Sequence, residues 1–360
     1  MLVKLEDVCN KATSNIMQKN IADHKGAYKI FGATGYIGAV DFYDQEEPYV
    51  AIVKDGAGIG RTFLLPEKTS VINTMQYLLP KGNIIPEYLY YVVQFMHLEK
   101  YFTGSTIPHI YYRDYKNEIF NLVPIDQQIQ IVKKLDKINE LIDNKEKQMK
   151  KIDMIVKSRF IEMFGDFDLS LRKLEWEQIK KLGIVVGGAT PKTSIKEYWN
   201  GSFNWFTPAD LNGKNLEYVH NSERKITQKG INSCSLQKLP VNTVLLTSRA
   251  PIGKVAIAGV DCYCNQGFKN IVCGQRILPK YLYYLLKYNT EFLDSLGRGA
   301  TFKEISKSIV ENIKIPVPEI DLQNEFICFA YQTDKSKLAI QKSIEKLEIL
   351  KKSLMQKYFG

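Results

Sequence analysis

Residues 86–93 read PEYLYYVV, and residues 279–286 read PKYLYYLL, an offset of 193. This recurrence limits the fold more than any other feature, because a segment repeated within one chain implies a repeated structural unit. Other matches follow in the same order. Ala57-Gly58-Ile59-Gly60-Arg61 faces Ala250-Pro251-Ile252-Gly253-Lys254 at the same offset, and Asn73 faces Asn265 with a one-residue slip. Gly104-Ser105-Thr106 faces Gly299-Ala300-Thr301 at an offset of 195, and Val123-Pro124 faces Val317-Pro318. Lys157-Ser158 and Phe164-Gly165 face Lys352-Ser353 and Phe359-Gly360, again at 195. A period near half of 360 residues means a duplicated unit, not a solenoid.

Each unit opens β-rich. Short apolar runs such as Tyr49–Val53, Val71–Leu79, Val244–Thr247 and Lys254–Ala258 are punctuated by Gly, Pro, Asn and Asp. A short helix follows around Glu87–Tyr101 and Lys280–Leu296, and then a long charged one. Pro124 and Pro318 stand just before the long helices, where proline is tolerated. The first is expected from about Asp126 to Phe164. Its residues Leu135, Ile138, Ile142, Met149, Ile152 and Val156 step alternately by three and four, with Lys145 as the polar exception. The second, from about Asp321 to Tyr358, continues the pattern at Ile340, Ile344, Leu347 and Leu354, broken by Lys351. At about 1.5 Å per residue such a helix is a rod of about 57 Å. Its narrow apolar seam needs a partner, and the other helix is the obvious one. The expected class is therefore α+β: two β-rich mixed domains separated by two long helices that pair as an antiparallel coiled coil, with pseudo-twofold internal repetition. The expected divisions are 1–124, 125–165, 166–320 and 321–360.

The net charge of +10 points to an acidic partner, nucleic acid foremost. The charge is unequally placed. Residues 1–124 hold 12 Lys+Arg against 13 Asp+Glu, whereas residues 166–320 hold 21 against 14. No run approaches eighteen consecutive apolar residues, and the acidic N-terminus does not suit a signal peptide, so no membrane partner and a cytoplasmic location are expected. Six cysteines are too few for a disulfide framework, and Cys262, Cys264 and Cys273 lack the paired spacing of structural zinc; no metal is expected.

The catalytic motifs are missing. Gly187–Thr193 superficially resembles a phosphate loop, but Pro191 stands where a Walker A loop needs glycine and offers no N–H. In Gly56-Ala57-Gly58-Ile59-Gly60, Arg61 displaces the third glycine of a dinucleotide fingerprint, so a tight hairpin at Asp55-Gly56 is expected instead. His24, His97, His109 and His220 are scattered and build no metalloprotease or hydrolase motif.

Gly188-Ala189-Thr190-Pro191-Lys192, then Tyr198-Trp199, then Trp205-Phe206-Thr207-Pro208-Ala209-Asp210-Leu211 resembles the opening of a target recognition domain from the specificity subunits of type I restriction-modification systems. Gly299–Ile305 followed by Ile315-Pro316-Val317-Pro318 resembles that domain's close and the entry to its spacer helix. In the first unit, Tyr28–Gly35 and Val53–Gly58 are similar to another form of the domain. The resemblance covers the whole chain, and the order domain, helix, domain, helix is more specific than any single motif. The first unit departs from it. It lacks both the G-x-T-P opening and the W-x-T-P-x-D-L block, with Gly32–Gly35 in their place, and it closes on Thr106-Ile107-Pro108-His109. Two different domain variants imply two different half-sites.

The resemblance implies a non-catalytic DNA reader. Each domain would read half of a split site, and the helices would set the spacer and dock two methyltransferase subunits that bind S-adenosylmethionine and modify adenine. Restriction subunits that use ATP can be added to such a core. This chain itself would carry no cofactor. Two rigidly spaced readers must match the DNA repeat, about 34–36 Å per turn. Candidate contacts lie on the Gly-rich loops: Tyr36, Lys54, Asp55, Arg61, Thr106 and His109 in the first unit, and Lys192, Thr193, Arg249, Lys269, Arg298, Thr301 and Lys303 in the second. Arg and Lys suit guanine or phosphate, and Asp can accept from cytosine. Tyr28, Trp199 and Trp205 are expected to pack as anchors. The alternative is a stand-alone two-headed DNA-binding or scaffold protein without methyltransferase partners.

Overall fold

A computed structural model describes residues 1–104, 107–165, 174–212, 217–249, 251–299 and 303–360. The chain forms two compact units, Met1–Gln148 with Ile340–Gly360, and Met149–Ala339. The division cuts through both long helices, Ile125–Phe164 and Ile320–Phe359, so each unit contains one β-rich domain and part of each helix.

The two units repeat strand by strand. In the first, Cys9–Thr13, Met75–Pro80, Tyr49–Val53 and Thr62–Leu65 lie side by side in that order, all antiparallel. In the second, Gly183–Gly187, Lys269–Cys273, Val244–Leu246 and Val255–Ala258 take the same places, and Tyr218–Val219 extends the edge in parallel. Tyr49–Val53 is buried at all five positions, as expected of a continuous apolar run covered on both faces. Each unit also has a small antiparallel pair: Leu2–Lys4 with Ile119–Asn121, and Trp176–Gln178 with Lys314–Pro316.

The repeated octapeptides open the helices Pro86–Met96 and Pro279–Tyr288, each with proline in the first turn, where its missing N–H costs nothing. Both helices end earlier than the sequence suggests. His97 takes a left-handed conformation, φ 51°, and a 3₁₀ turn Leu98–Tyr101 follows. Asn289 separates Pro279–Tyr288 from Thr290–Ser295. Their tyrosines are fastened at the far end of the ring. The Tyr88 hydroxyl donates to the Asn121 carbonyl at 2.9 Å, and the Tyr281 hydroxyl donates to Pro316 O at 2.9 Å.

A fully buried glutamine sits at the start of each long helix. Gln128 Oε1 accepts from Ile85 N–H at 3.0 Å, and its amide donates to Asn83 O and Val123 O, both at 2.9 Å. Gln323 does the same 195 residues later: it accepts from Leu278 N–H at 2.8 Å and donates to Arg276 O at 3.0 Å and Pro318 O at 2.8 Å. One side chain thus ties the tyrosine helix, its preceding loop and the entry to the long helix together.

Within each unit the long helices run antiparallel. In the first unit Asn121, just before one helix, donates to Tyr358 O near the end of the other, and the Asp143 carboxylate acts on Lys351 further in. Leu135 and Ile138 are buried, Ile142 is half-buried, and from the other helix Ile344 is buried with Ile340, Leu347 and Leu354 half-buried. Lys145 and Lys351, the two breaks in the seams, are half-buried as well. Burial pulls the Lys351 ammonium below the ordinary lysine value, while Glu348 and Asp143 oppose the shift. In the second unit Asp153 pairs with Lys337 and Arg159 with Glu325, the latter at 3.0 Å. There Val156, Phe160 and Phe164 pack with Phe326 and Ala330, while Met149 and Ile152 are half-buried.

Two stability predictions follow from this packing. Gln323→Leu or Gln128→Leu leaves an N–H and two carbonyls without their partner and is expected to cost about 2–3 kcal/mol in chemical denaturation; an unchanged midpoint would remove the glutamine from this role. Ile344 is 6% exposed and Ile349 is 67% exposed on the same helix. Ile344→Asp is expected to lower stability by several kcal/mol and Ile349→Asp by less than about 0.5 kcal/mol, measured as paired thermal melts.

Candidate nucleic-acid interface

The loop joining Tyr49–Val53 to Thr62–Leu65 is wider than the tight hairpin expected at Asp55-Gly56. It closes at its base, where Val53 N–H donates to Arg61 O and Gly60 N–H to Val53 O, both at 2.9 Å. The cause of the width is a second partner. Gly56, at φ 90°, donates to Pro108 O at 2.9 Å, Ile110 N–H donates to Lys54 O at 3.0 Å, and the Asp55 carboxylate bonds His109 Nδ1. Asp55-Gly56 therefore pairs with the closing loop of its own domain.

His109 is fixed from the other side by a two-way backbone pair with Thr103, at 2.8 and 2.9 Å. Its ring lies 4.0 Å from that of Tyr111, over which the Arg113 guanidinium sits at 4.6 Å. Arg61 Nη1 donates to Ala33 O at 2.7 Å, which ties this loop to the turn between Tyr28–Gly32 and Gly35–Val40. Tyr36 stands just past that turn, at the start of the strand Gly35–Val40, 60% exposed. The structure thus brings Tyr36, Lys54, Asp55, Arg61 and His109 onto three linked loops. Thr106 lies outside the described residues.

In the second unit the matching loop closes in the same way. Thr247 N–H donates to Lys254 O at 2.9 Å, and Gly253, at φ 89°, donates to Thr247 O at 3.1 Å. Ile305 N–H donates to Ser248 O at 2.8 Å, and Glu304 makes a two-way backbone pair with Arg298 at 3.0 and 3.1 Å. Glu304 gathers the cations. It pairs with Arg249 Nε at 3.1 Å and Lys269 Nζ at 3.2 Å. Burial opposes ionisation of Glu304, but these two cations outweigh it and hold the carboxyl below the usual range. Lys269 is only 12% exposed and also donates to Ser248 Oγ at 3.2 Å, so it braces the loop from beneath. Arg249 is 49% exposed. Arg298 and Lys303 are exposed beside it, Lys303 within 3.3 Å of Asp294. Thr301 lies outside the described residues.

Lys192 and Thr193 are exposed where the Gly188–Pro191 segment runs into a turn closed by Ile195 N–H on Lys192 O. That segment is pressed against Cys264 and Asn265: a Cβ on Gly188 would stand 1.8 Å from the Asn265 carbonyl oxygen, so only glycine fits. Thr190 Oγ1 bonds Gln266 Oε1, and Ser248 N–H donates to Gly267 O at 2.7 Å. Residues 265–268 therefore link the Gly188–Pro191 segment to the Arg249 loop. Trp199 and Trp205 are buried and cross edge-on at 4.9 Å, with the Arg224 guanidinium over Trp199 at 3.8 Å. They are anchors, as expected.

The W-x-T-P-x-D-L block is a local brace. Asp210 accepts from Thr207 N–H and Thr207 Oγ1 at 2.7 Å with one oxygen, and from Glu223 N–H at 2.7 Å with the other. The first unit has no such block, yet the surrounding architecture is the same. Phe31 pairs with Val71 in parallel and accepts from Ile72 N–H, and Phe206 pairs with Cys264 in parallel and accepts from Asn265 N–H, each bond 3.0 Å. The turn Gly32–Gly35 occupies the corresponding place.

A family model described as type I restriction modification DNA specificity domain matches residues 1–154 and 173–350. The chain belongs to this family. Among curated relatives of this specificity-domain chain, the MjaIX specificity subunit of Methanocaldococcus jannaschii is 42% identical over 175 residues, 48% of this chain and 40% of the relative. The EcoR124I/EcoR124II specificity subunit of Escherichia coli is 28% identical over 209 residues, 56% of this chain and 50% of the relative. The chain thus spans half or less of the length of these two relatives. In fold it resembles an S subunit of a type I restriction-modification system from M. genitalium, at TM-score 0.57 and 15% identity, covering 100% of this chain and 96% of that one. A chain from a study of complex assembly and conformational transition of the type I R-M system gives TM-score 0.64 at 17% identity, covering 99% and 97%.

Sequence reasoning missed Glu304, Asp210, Tyr111, Arg113 and Arg224. Glu304 was within reach, since it stands 195 residues after His109, the offset of the surrounding repeat. Among the described residues no cluster of His, Cys, Asp and Glu could hold a metal, and no helix is long and apolar enough to cross a membrane. Burial pushes the Cys273 thiol up to about 12, which keeps it protonated and a poor ligand.

The pairing of Glu304 predicts a pH dependence. Its folded value is lowered, so its contribution is complete above the ordinary glutamate value and is lost as pH falls through the folded one. The melting difference between wild type and Glu304→Gln is expected at pH 7, should begin to shrink as pH falls below the ordinary glutamate value of about 4.3, and should close once pH passes the lower folded value. A gap that persists at low pH would show that the cations do not act through ionised Glu304.

Proposed function

We propose that this chain is the DNA-reading subunit of a type I restriction-modification complex and is not catalytic alone. The observation that carries the reading is the duplication: the same scaffold occurs twice, with different polar side chains on equivalent loops. A protein that needed one chemistry twice would keep the side chains. One that reads two unlike half-sites keeps the frame and varies them. Family membership, a net charge of +10 and exposed cations on the glycine-rich loops support the same role.

Each domain reads one half of a bipartite site. The paired helices set the unread spacer and receive two methyltransferase subunits, which bring S-adenosylmethionine and methylate adenine. Restriction subunits complete the complex where cleavage accompanies modification. The location that goes with this role is the cytoplasm, with the DNA. The helices offer docking surface: Met154, Ile155, Leu338, Ile349 and Leu350 remain exposed on their outer faces.

The test is co-expression with the methyltransferase gene of the same system, followed by co-purification and by sequencing of methylated adenines in the host DNA. The expected outcome is a complex holding two methyltransferase subunits per chain and one split, asymmetric methylated motif. A chain that binds no methyltransferase, or a motif without two separated halves, would refute the reading.

A further inference from the structure

Superposing the bonding patterns of the two units shows an exchange of charge at one pair of positions. In the first unit the loop residue is Asp55 and its cross-loop partner is His109; in the second the loop residue is Arg249 and its partner is Glu304. The positions are equivalent on three counts. The hairpin closures Val53–Arg61 and Thr247–Lys254 match, Asp55 and Arg249 each stand two residues after the closing strand residue, and both are backbone-bridged to their partners. The partners are in turn bridged to Thr103 and Arg298, and the next residue, Ile110 or Ile305, donates to Lys54 O or Ser248 O. Backbone and register are kept while acid and base change places.

Part-exposed polar pairs are worth only about 0.2–1 kcal/mol, and stability is served equally by either order of acid and base, so stability does not select the reversal. The loop side chains are also part-exposed, Asp55 at 30% and Arg249 at 49%, so each has free hydrogen-bonding edges beyond its partner. The two ends differ in what they can recognise. A carboxylate accepts from an exocyclic amino group, whereas a guanidinium donates two parallel bonds to guanine O6 and N7. The second cluster also sets Lys269 as well as Arg249 against a single Glu304, which leaves one positive charge in excess.

We infer that residues 55 and 249 are equivalent specificity-determining positions, Asp55 reading an amino-bearing base in one half-site and Arg249 a guanine in the other, with His109 and Glu304 as positioning residues. The inference rests on the DNA-reading role proposed above. It gives the unlike half-sites a structural origin: one position in a duplicated loop, read with opposite polarity.

The experiment uses the full chain assembled with its methyltransferase subunits, and selection of bound duplexes from a library randomised over both half-sites. Wild type should enrich a split motif with guanine at one position of one half-site and cytosine or adenine at one position of the other. A wild-type complex with no sequence preference would overturn the DNA-reading role, and this inference with it. Arg249→Lys keeps the charge and a phosphate contact but loses the two-pronged bond. It should relax the guanine position about 5- to 150-fold and leave the other half-site unchanged. Glu304→Gln should relax that same position and no other, an effect general loosening of the fold would not reproduce. Asp55→Asn, which can still bond His109, should relax one position of the opposite half-site. Motifs unchanged in all three variants, or uniform weakening across sequences, would overturn the assignment while leaving DNA reading intact.

Discussion

A buried glutamine amide is the joint on which each half of this protein turns. Three backbone positions meet where a long helix begins: the residue just past the domain's last strand, the loop before the tyrosine helix and the residue that caps that helix. Each presents a backbone group with no partner in its own element. An apolar side chain would leave all three unpaired inside the protein, at a combined cost of about 2–3 kcal/mol. Gln128 and Gln323 satisfy all three with one planar group. The direction in which the long helix leaves the domain is thereby set by hydrogen-bond geometry, which is directional, and not only by apolar packing, which is not.

The rest of each unit follows from that joint. With the helix direction set, its apolar seam faces the opposite helix, and the tyrosine helix is held against the sheet by a hydroxyl bonded to the chain just before the long helix. The loops at the other side are then free to differ. Asp210 with Thr207 in one unit and the turn Gly32–Gly35 in the other both support a strand in the same parallel pairing. Different local chemistry converges on one frame, and the frame presents the variable side chains.

The repeat and the long helices were legible in the sequence, for physical reasons. Tyrosines that must be buried and also hydrogen-bonded have few substitutes, so the octapeptide persisted in both copies. A seam of alternating three- and four-residue steps belongs to helices alone. The glutamines were not legible, because a glutamine in a charged helix reads as solvated surface. Their signal was present nonetheless: Ile125-Asp126 and Gln128 recur as Ile320-Asp321 and Gln323. The width of the loop at Asp55-Gly56 escaped because a local turn rule does not include a distant partner, here Pro108 and His109. Strand order likewise depends on pairings between residues far apart, such as Cys9 with Pro80 and Gly183 with Cys273. Which loop cations stand free could not be read from type alone: Arg249 and Lys269 look alike in sequence, yet one is half-exposed and the other nearly covered.

The two compact units differ in how the ribosome delivers them. Met149–Ala339 is one continuous stretch, whereas the other unit joins Met1–Gln148 to Ile340–Gly360. During synthesis the second recognition domain has all its parts before the first does. The earlier domain emerges first but must wait, with the site for Phe359 beside Tyr88 and Phe95 still unfilled. Phe359 is fully buried once in place. Since domains generally fold as units while the chain emerges, the order of completion is the reverse of the order of translation. For that interval Tyr88 and Phe95 lack the ring that packs against them in the finished unit.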